Sequence, residues 1–286
     1  MESVLEINNL TKDFGDFLLD KVSFSIPQGT IMGLIGENGA GKTTTINLVL
    51  NELEKDAGTI TIFGKDHLEH ETEVKNAIGV VFDDCPLPDL FSTMEIEEVM
   101  KNIYPSWDRG AFRKYLSEFE LPTGKPVKDL SRGMKIKLSF AIALAHNPKL
   151  LILDEATSGL DPVMRDEILD ILLDFVQDET HSVLFSSHIT SDLEKIADYI
   201  TFIHKGRVLF YKTKDELIYN YGIIHCTTAC FEDLDKSEII AYRKRDYEWQ
   251  VMVADRETAQ RKYEDCVVDN ATLDDIMLFY VKGELQ

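Results

Sequence analysis

Gly36-Glu37-Asn38-Gly39-Ala40-Gly41-Lys42-Thr43-Thr44 satisfies every fixed position of the pattern G-x-x-x-x-G-K-[ST], and it stands between a short apolar run and a helical one. Glycines at 36, 39 and 41 permit backbone conformations that a Cβ forbids, so successive N–H groups can converge on phosphate oxygens. A helix starting near Gly41 adds the positive end of its dipole, Lys42 reaches the β and γ phosphates as a point charge, and the Thr43 hydroxyl can ligate Mg²⁺. Residues 36–44, with Asn38, Ala40 and Thr44 inside the loop, therefore predict a nucleoside triphosphate site on an α/β scaffold.

The strands around the loop fit that scaffold. Residues 31–35 (Ile-Met-Gly-Leu-Ile) form an apolar run that feeds straight into the glycines, as a strand buried on both faces does. Residues 4–9 and 21–26 alternate apolar and polar side chains, which predicts half-buried strands of a second sheet. Helix is expected over 43–53, and strands over 59–63 and 78–82. From about residue 92 the pattern turns helical until Leu150: Phe112, Tyr115, Leu116 and Phe119 share one face, and Ser131 is placed to cap a long helix whose apolar face uses Leu138, Ala141, Ile142 and Leu144. Residues 150–153 are again fully apolar and end in Asp154-Glu155, two acids at the end of a buried strand. Asp161-Pro162 opens another helix, 183–187 is a strand ending at His188, and 200–203 with 208–210 form a hairpin. After about Thr213, strands over 223–231 and 248–254 and a final helix with the capping box Thr272-x-x-Asp275, stopping at Gly283, predict a small α+β unit.

Bulk properties exclude several classes. The 286 residues carry 30 basic and 51 acidic side chains, a formal charge of −21, which argues against a phosphate-backbone partner and hence against nucleic acid. Residues 214–286 hold nine basic and sixteen acidic residues, so they offer no basic membrane-binding patch. With neither an apolar run of eighteen residues nor a secretory signal after Met1-Glu2-Ser3-Val4, the expectation is a cytosolic or peripheral protein. Cys85, Cys226, Cys230 and Cys266 are too few and scattered for a disulfide framework, and His225-Cys226-x-x-x-Cys230 reads as ordinary strand residues.

Taken together, the loop 36–44, Leu130-Ser131-Arg132-Gly133-Met134, the strand ending Asp154-Glu155, Gly159-Leu160-Asp161-Pro162 and His188 resemble, in order and spacing, the ATP-binding subunits of ABC transporters over residues 3–213. The resemblance implies a P-loop NTPase (RecA-like) core with an N-terminal antiparallel β part, an all-helical insert over about 88–147 within an ATPase domain 1–213, and a small C-terminal accessory domain 214–286. It implies ATP and Mg²⁺ as cofactors. Phe14 resembles the aromatic that stacks on adenine, a buried core phenylalanine being the other reading. Asp154 resembles the Mg²⁺ carboxylate opposite Thr43, Glu155 the base that polarises the attacking water, and His188 the switch residue at the γ phosphate, with a merely buried histidine as the alternative.

Ser131 and Gly133 resemble the signature loop that closes the nucleotide of a second subunit, and Asp161 counts with the nucleotide-contacting set. A head-to-tail homo- or heterodimer with ATP sandwiched between partners follows. Two positions depart from the family pattern: the signature reads Leu-Ser-Arg-Gly-Met where Leu-Ser-Gly-Gly-Gln is commonest, and Asp83 stands where a Gln usually touches Mg²⁺, with Asp83 expected to contact the metal itself. The finer likeness is to exporter-type ATPases of Gram-positive bacteria that move drugs, antimicrobial peptides or lipid-like molecules. It implies a protein at the cytoplasmic face of the membrane, reaching the membrane only through a separate permease docked between residues 83–91 and the helical insert. The alternative is a soluble ABC-type ATPase without a transport role.

Overall fold

The computed structural model describes residues 2–245 and 248–285. The chain opens with β1 (Ser3–Asp13) and β2 (Leu18–Pro27), an antiparallel pair whose alternating burial follows the alternating sequence. β3 (Ile31–Ile35) is buried at every residue and leads through the glycine loop into α1 (Lys42–Val49). That helix stops short of the expected Leu53, because Leu50 caps it and Asn51 turns the chain into the left-handed region at φ 55°. β4 (Ala57–Ile62) and the two-residue β5 (Lys65–Asp66) return to β1, giving a four-stranded antiparallel sheet in the order β2-β1-β4-β5. After α2 (Glu71–Asn76), β6 (Ile78–Phe82) enters the second sheet.

Three helices follow: α3 (Thr93–Ile103), α4 (Arg109–Glu118) and α5 (Arg132–Leu144). Ser92, Asp108 and Ser131 cap them, each accepting from N–H groups of the first turn that would otherwise lack partners. α5 is apolar on two sides. Leu138, Ala141 and Ile142 pack with Phe112 and Leu116 of α4, whereas Ile136, Phe140, Ala143 and also Leu144 face the core of the second sheet. The helical group is thus bolted to the sheet by one shared helix.

The second sheet is completed by β7 (Leu150–Asp154), α6 (Pro162–Phe175), β8 (Ser182–Ser187), α7 (Thr190–Ile196) and the hairpin β9 (Tyr199–His204) and β10 (Arg207–Thr213). Its order is β10-β9-β3-β8-β7-β6, parallel except for the edge strand β10, which pairs antiparallel with β9. β3, β7 and β8 are buried at every position, which is why each is built on a short apolar stretch (31–35, 150–153 and 183–185); each such Leu, Ile or Phe contributes roughly 1.5–3 kcal/mol. Because β3, β8 and β7 are neighbours in register, with Ile35 opposite Ser187 and Asp154 opposite Ser186, their carboxyl ends and the loops that follow share one edge.

The remaining chain forms β11 (Gly222–Cys226), α8 (Thr228–Asp233), β12 (Ile239–Arg245), β13 (Glu248–Val253), α9 (Arg256–Lys262), β14 (Val267–Asn270), α10 (Leu273–Lys282) and β15 (Glu284–Leu285), with an antiparallel sheet ordered β14-β11-β13-β12-β15. The strand expected over 223–231 ends at Cys226. Thr227 accepts from the Cys230 N–H as an N-cap, and the chain turns into α8, so Cys230 is a helical and not a strand residue. The capping box of Thr272 and Asp275 is present, and Gly283 ends α10. Ile223, Met252, Ile276 and Phe279 join the core that also holds Phe185 and Leu193, so this last layer is packed onto the second sheet.

Candidate functional site

Gly41 caps α1 at φ 114°, and among the described residues no side chain takes up the N–H groups of that first turn. Gly36 passes so close to β9 that a Cβ there would lie 2.3 Å from the Ile203 carbonyl oxygen. Glu37, Asn38 and Gly39 are exposed, Ala40 and Gly41 are buried, Thr43 is exposed and Thr44 half-buried. The result is an open rim of backbone donors at the positive end of a helix, suited to an anion.

Lys42, only 5% exposed, is the centre of the site. Its Nζ donates to the Gly36 carbonyl at 2.7 Å and the Glu37 carbonyl at 3.3 Å, and stands 3.2 Å from Glu155 Oε1. Glu155 sits just past β7 in the left-handed region at φ 54°, its N–H donating to the Ser186 carbonyl at 3.0 Å. That unusual conformation for a side-chain-bearing residue is held by the neighbouring strand. Its other carboxylate oxygen lies 2.5 Å from His188 Nδ1 and 3.4 Å from the His188 N–H. The His188 side chain is 44% exposed, so it is not a buried core histidine.

Asp154 is buried, and burial pushes its carboxyl above the usual carboxylate range; the facing hydroxyls of Thr43 and Ser186 pull it back and the charge of Glu155 raises it further. Its Oδ1 has no hydrogen-bond partner among the described residues. A buried carboxylate oxygen left open beside a threonine hydroxyl is the donor set a hard divalent cation takes. Among the described residues no group of three or more His, Cys, Asp or Glu could hold a metal ion.

Asp83 forms an ion pair: the Arg132 guanidinium donates to Asp83 Oδ1, occupying one of its oxygens. Sequence reading noted both residues as departures but did not pair them, although their opposite charges were the available signal. It also missed Asp192, 3% exposed, which accepts from the Thr157 hydroxyl at 3.0 Å and is gripped by Arg165, joining the loop after β7 to α7.

Ser131, Gly133 and Asp161 share no hydrogen bond with Lys42, Glu155 or His188 and lie at the starts of α5 and α6. Ser131 accepts from the Met134 N–H at 3.2 Å, Gly133 adjoins Met164, and Asp161 accepts from the Val163 and Met164 N–H groups at 3.1 Å. Phe14 is 44% exposed, with the Lys12 ammonium 5.9 Å from its ring, which removes the buried-core reading.

Residues 19–158 match the family model described as ABC transporter. The chain is 32% identical over 219 residues to the ABC transporter ATP-binding protein YtrB of Bacillus subtilis, covering 76% of this chain and 75% of that one. It is 33% identical to the bacitracin transport ATP-binding protein BcrA of Bacillus licheniformis (73% and 69% covered) and 35% identical to the lantibiotic transport ATP-binding protein SrtF of Streptococcus pyogenes (74% and 92% covered). A solved structure described as the ATP-binding subunit of an ABC transporter superposes with a TM-score of 0.67 at 26% identity, covering 75% of this chain and 92% of that one.

Proposed function

Because the chain belongs to the ABC transporter ATP-binding family, whose members hydrolyse ATP, we propose that residues 36–44, Asp154, Glu155 and His188 form the hydrolytic half-site of an exporter's ATPase subunit. The observation that carries this is the convergence of Lys42, Glu155 and His188 at the ends of β3, β7 and β8, beside a buried oxygen of Asp154 open to a cation. The triphosphate lies along the backbone N–H groups of the loop, with Lys42 on its β and γ phosphates and Phe14 against the adenine. Thr43 and Asp154 would hold Mg²⁺, which supplies charge neutralisation at the phosphates. Glu155 orients a water for in-line attack and accepts its proton, while His188 holds the Glu155 carboxylate and faces the γ phosphate. ATP and water become ADP and phosphate.

Ser131 and Gly133 complete the corresponding site of a second subunit, head to tail. The relatives named for bacitracin and lantibiotic transport support a peptide-like cargo, moved through a separate permease, with this subunit at the cytoplasmic membrane face. No helix among the described residues is long and apolar enough to cross a membrane. Phosphate release by the purified subunit tests the assignment. Glu155→Gln is expected to bind ATP, to accumulate as an ATP-bound dimer and to turn over about 10²–10⁴-fold more slowly. Equal rates in the two proteins refute Glu155 as the base.

A further inference from the structure

The two departures from the family pattern meet in space. Arg132, the first residue of α5, reaches across to Asp83, in the turn that follows β6. The same guanidinium nitrogen donates to the Ser158 carbonyl at 2.8 Å, in the loop after β7. The group also lies against Gly159, where a Cβ would come within 3.0 Å of Nη1 and 3.1 Å of Cζ. One side chain therefore joins three segments: the turn after β6, the loop after β7 and the start of α5. The guanidinium lays its flat face on Gly159 while its Nη2 makes both hydrogen bonds, a packing that a lysine ammonium would not reproduce.

Each of those segments has a place in the proposed mechanism. Phe82, which precedes Asp83, is paired across the sheet with Asp154, so Asp83 is tethered beside the metal carboxylate. Ser158 and Gly159 lie between Glu155 and Asp161. Arg132 stands between Ser131 and Gly133, the residues assigned to the partner's nucleotide. The Arg132 side chain is 51% exposed and that of Asp83 44%, and an ion pair so open to water contributes little to stability. Its consequence is geometric. Held at three points, the first turn of α5 rotates only by breaking one of these contacts or by moving the loop that carries Glu155 or the turn beside Asp154.

We propose that the Asp83–Arg132 pair is a positioning clamp that couples the signature turn of a subunit to that subunit's own nucleotide half-site. Arg132 is a positioning residue: it fixes the orientation in which Ser131 and Gly133 meet the partner's phosphates, and Asp83 relays to it the state of the metal side of its own site. The inference rests on the half-site reading above, and its test has one arm that needs no turnover.

In the nucleotide-free full-length subunit, amide exchange over residues 156–161 is compared among wild type, Asp83→Asn, Arg132→Gln and the double variant, beside kcat and KM for MgATP. Arg132→Gln is expected to raise exchange over 156–161 at least about fivefold with the thermal midpoint nearly unmoved. Each single variant is expected to lower kcat about tenfold with KM within about twofold, and the double variant to be no worse than either single one, because the second change removes a contact already lost. Unchanged exchange over 156–161, or losses that multiply to about a hundredfold in the double variant, overturn the clamp. If wild type itself shows no ATP hydrolysis, the half-site reading fails, while the exchange arm still decides for or against the clamp.

Discussion

Gly133→Ala separates fold from function at one atom. The added Cβ would lie 2.8 Å from Met164 Cε and 3.7 Å from Met164 Cγ, so what it meets is the far end of a flexible side chain. Moving that methyl costs little, since methionine has three rotatable bonds and adapts its packing. Gly133 is the second residue of α5, and alanine there gains up to about 1 kcal/mol of helix propensity. The net is a stability change between about zero and 1 kcal/mol in favour of the variant, a rise in Tm of at most about 4 °C for a chain of this size. Against this stands the proposed approach of the Gly133 N–H to a phosphate of the partner's nucleotide. A methyl that blocks that approach forfeits a hydrogen bond to a charged group, about 1.5–3 kcal/mol, hence about 10–100-fold in turnover. Thermal unfolding and steady-state phosphate release on the same preparation read the two effects. A variant that keeps its Tm and hydrolyses ATP within threefold of wild type refutes the placement of Gly133 at a phosphate; a fall in Tm of more than about 5 °C refutes the packing argument.

Two further outcomes follow from buried polar contacts. His146 is 1% exposed, its Nε2 is 3.0 Å from the Ile78 carbonyl and its Nδ1 3.3 Å from the Ile142 carbonyl, and burial holds the imidazole below its ordinary value of 6.5. The folded state then binds a proton less readily than the unfolded chain, so its contribution is present above the unfolded value and lost as pH falls below it. His67 is depressed by burial in the same way, so Tm is expected to drop from pH 7 to 5.5. His146→Phe is expected to have a shallower slope, and parallel curves would refute the assignment. Separately, Thr190 donates to Asp274 Oδ1 at 2.7 Å and the Leu273 N–H to Glu194 Oε1 at 2.7 Å, docking α10 on the helix that follows His188. Asp274→Ala is expected to cost about 1–2 kcal/mol and to raise amide exchange over 188–196; unchanged exchange there refutes the docking.

The strands that build the site were readable because a parallel sheet buries both faces, so β3, β6, β7 and β8 stand out as short apolar runs, each ending in chemistry or in a turn. The fold of the last seventy residues was readable less sharply. Ile223, Ile224 and Cys226 continue by apolar pattern to Cys230 and Phe231, and only the Thr227 side chain, bonding back to its own helix, decides where the strand stops. What no local pattern carries is who meets whom across the sheet. Asp83 and Arg132 are 49 residues apart, and each looked like a weakening of the family pattern when read alone. Side by side they cancel: a carboxylate that would have burdened the metal site with charge is matched by a guanidinium that would otherwise crowd the signature turn.

The same long-range logic explains how the site holds so many charges together. Lys42 and Glu155 are 5% and 18% exposed, and a buried ion left alone would cost several kcal/mol, so at 3.2 Å each serves as the other's partner. Glu155 has Lys42 beside one oxygen and His188 beside the other. An arriving triphosphate carries several negative charges against the single one of the carboxylate, and at equal distance Coulomb attraction moves Lys42 to it. Glu155 is then left with His188 alone and one oxygen to turn toward water. On the proposed mechanism, nucleotide binding and release of Glu155 from Lys42 are a single exchange of partners, which ties the readiness of that carboxylate to the presence of its substrate.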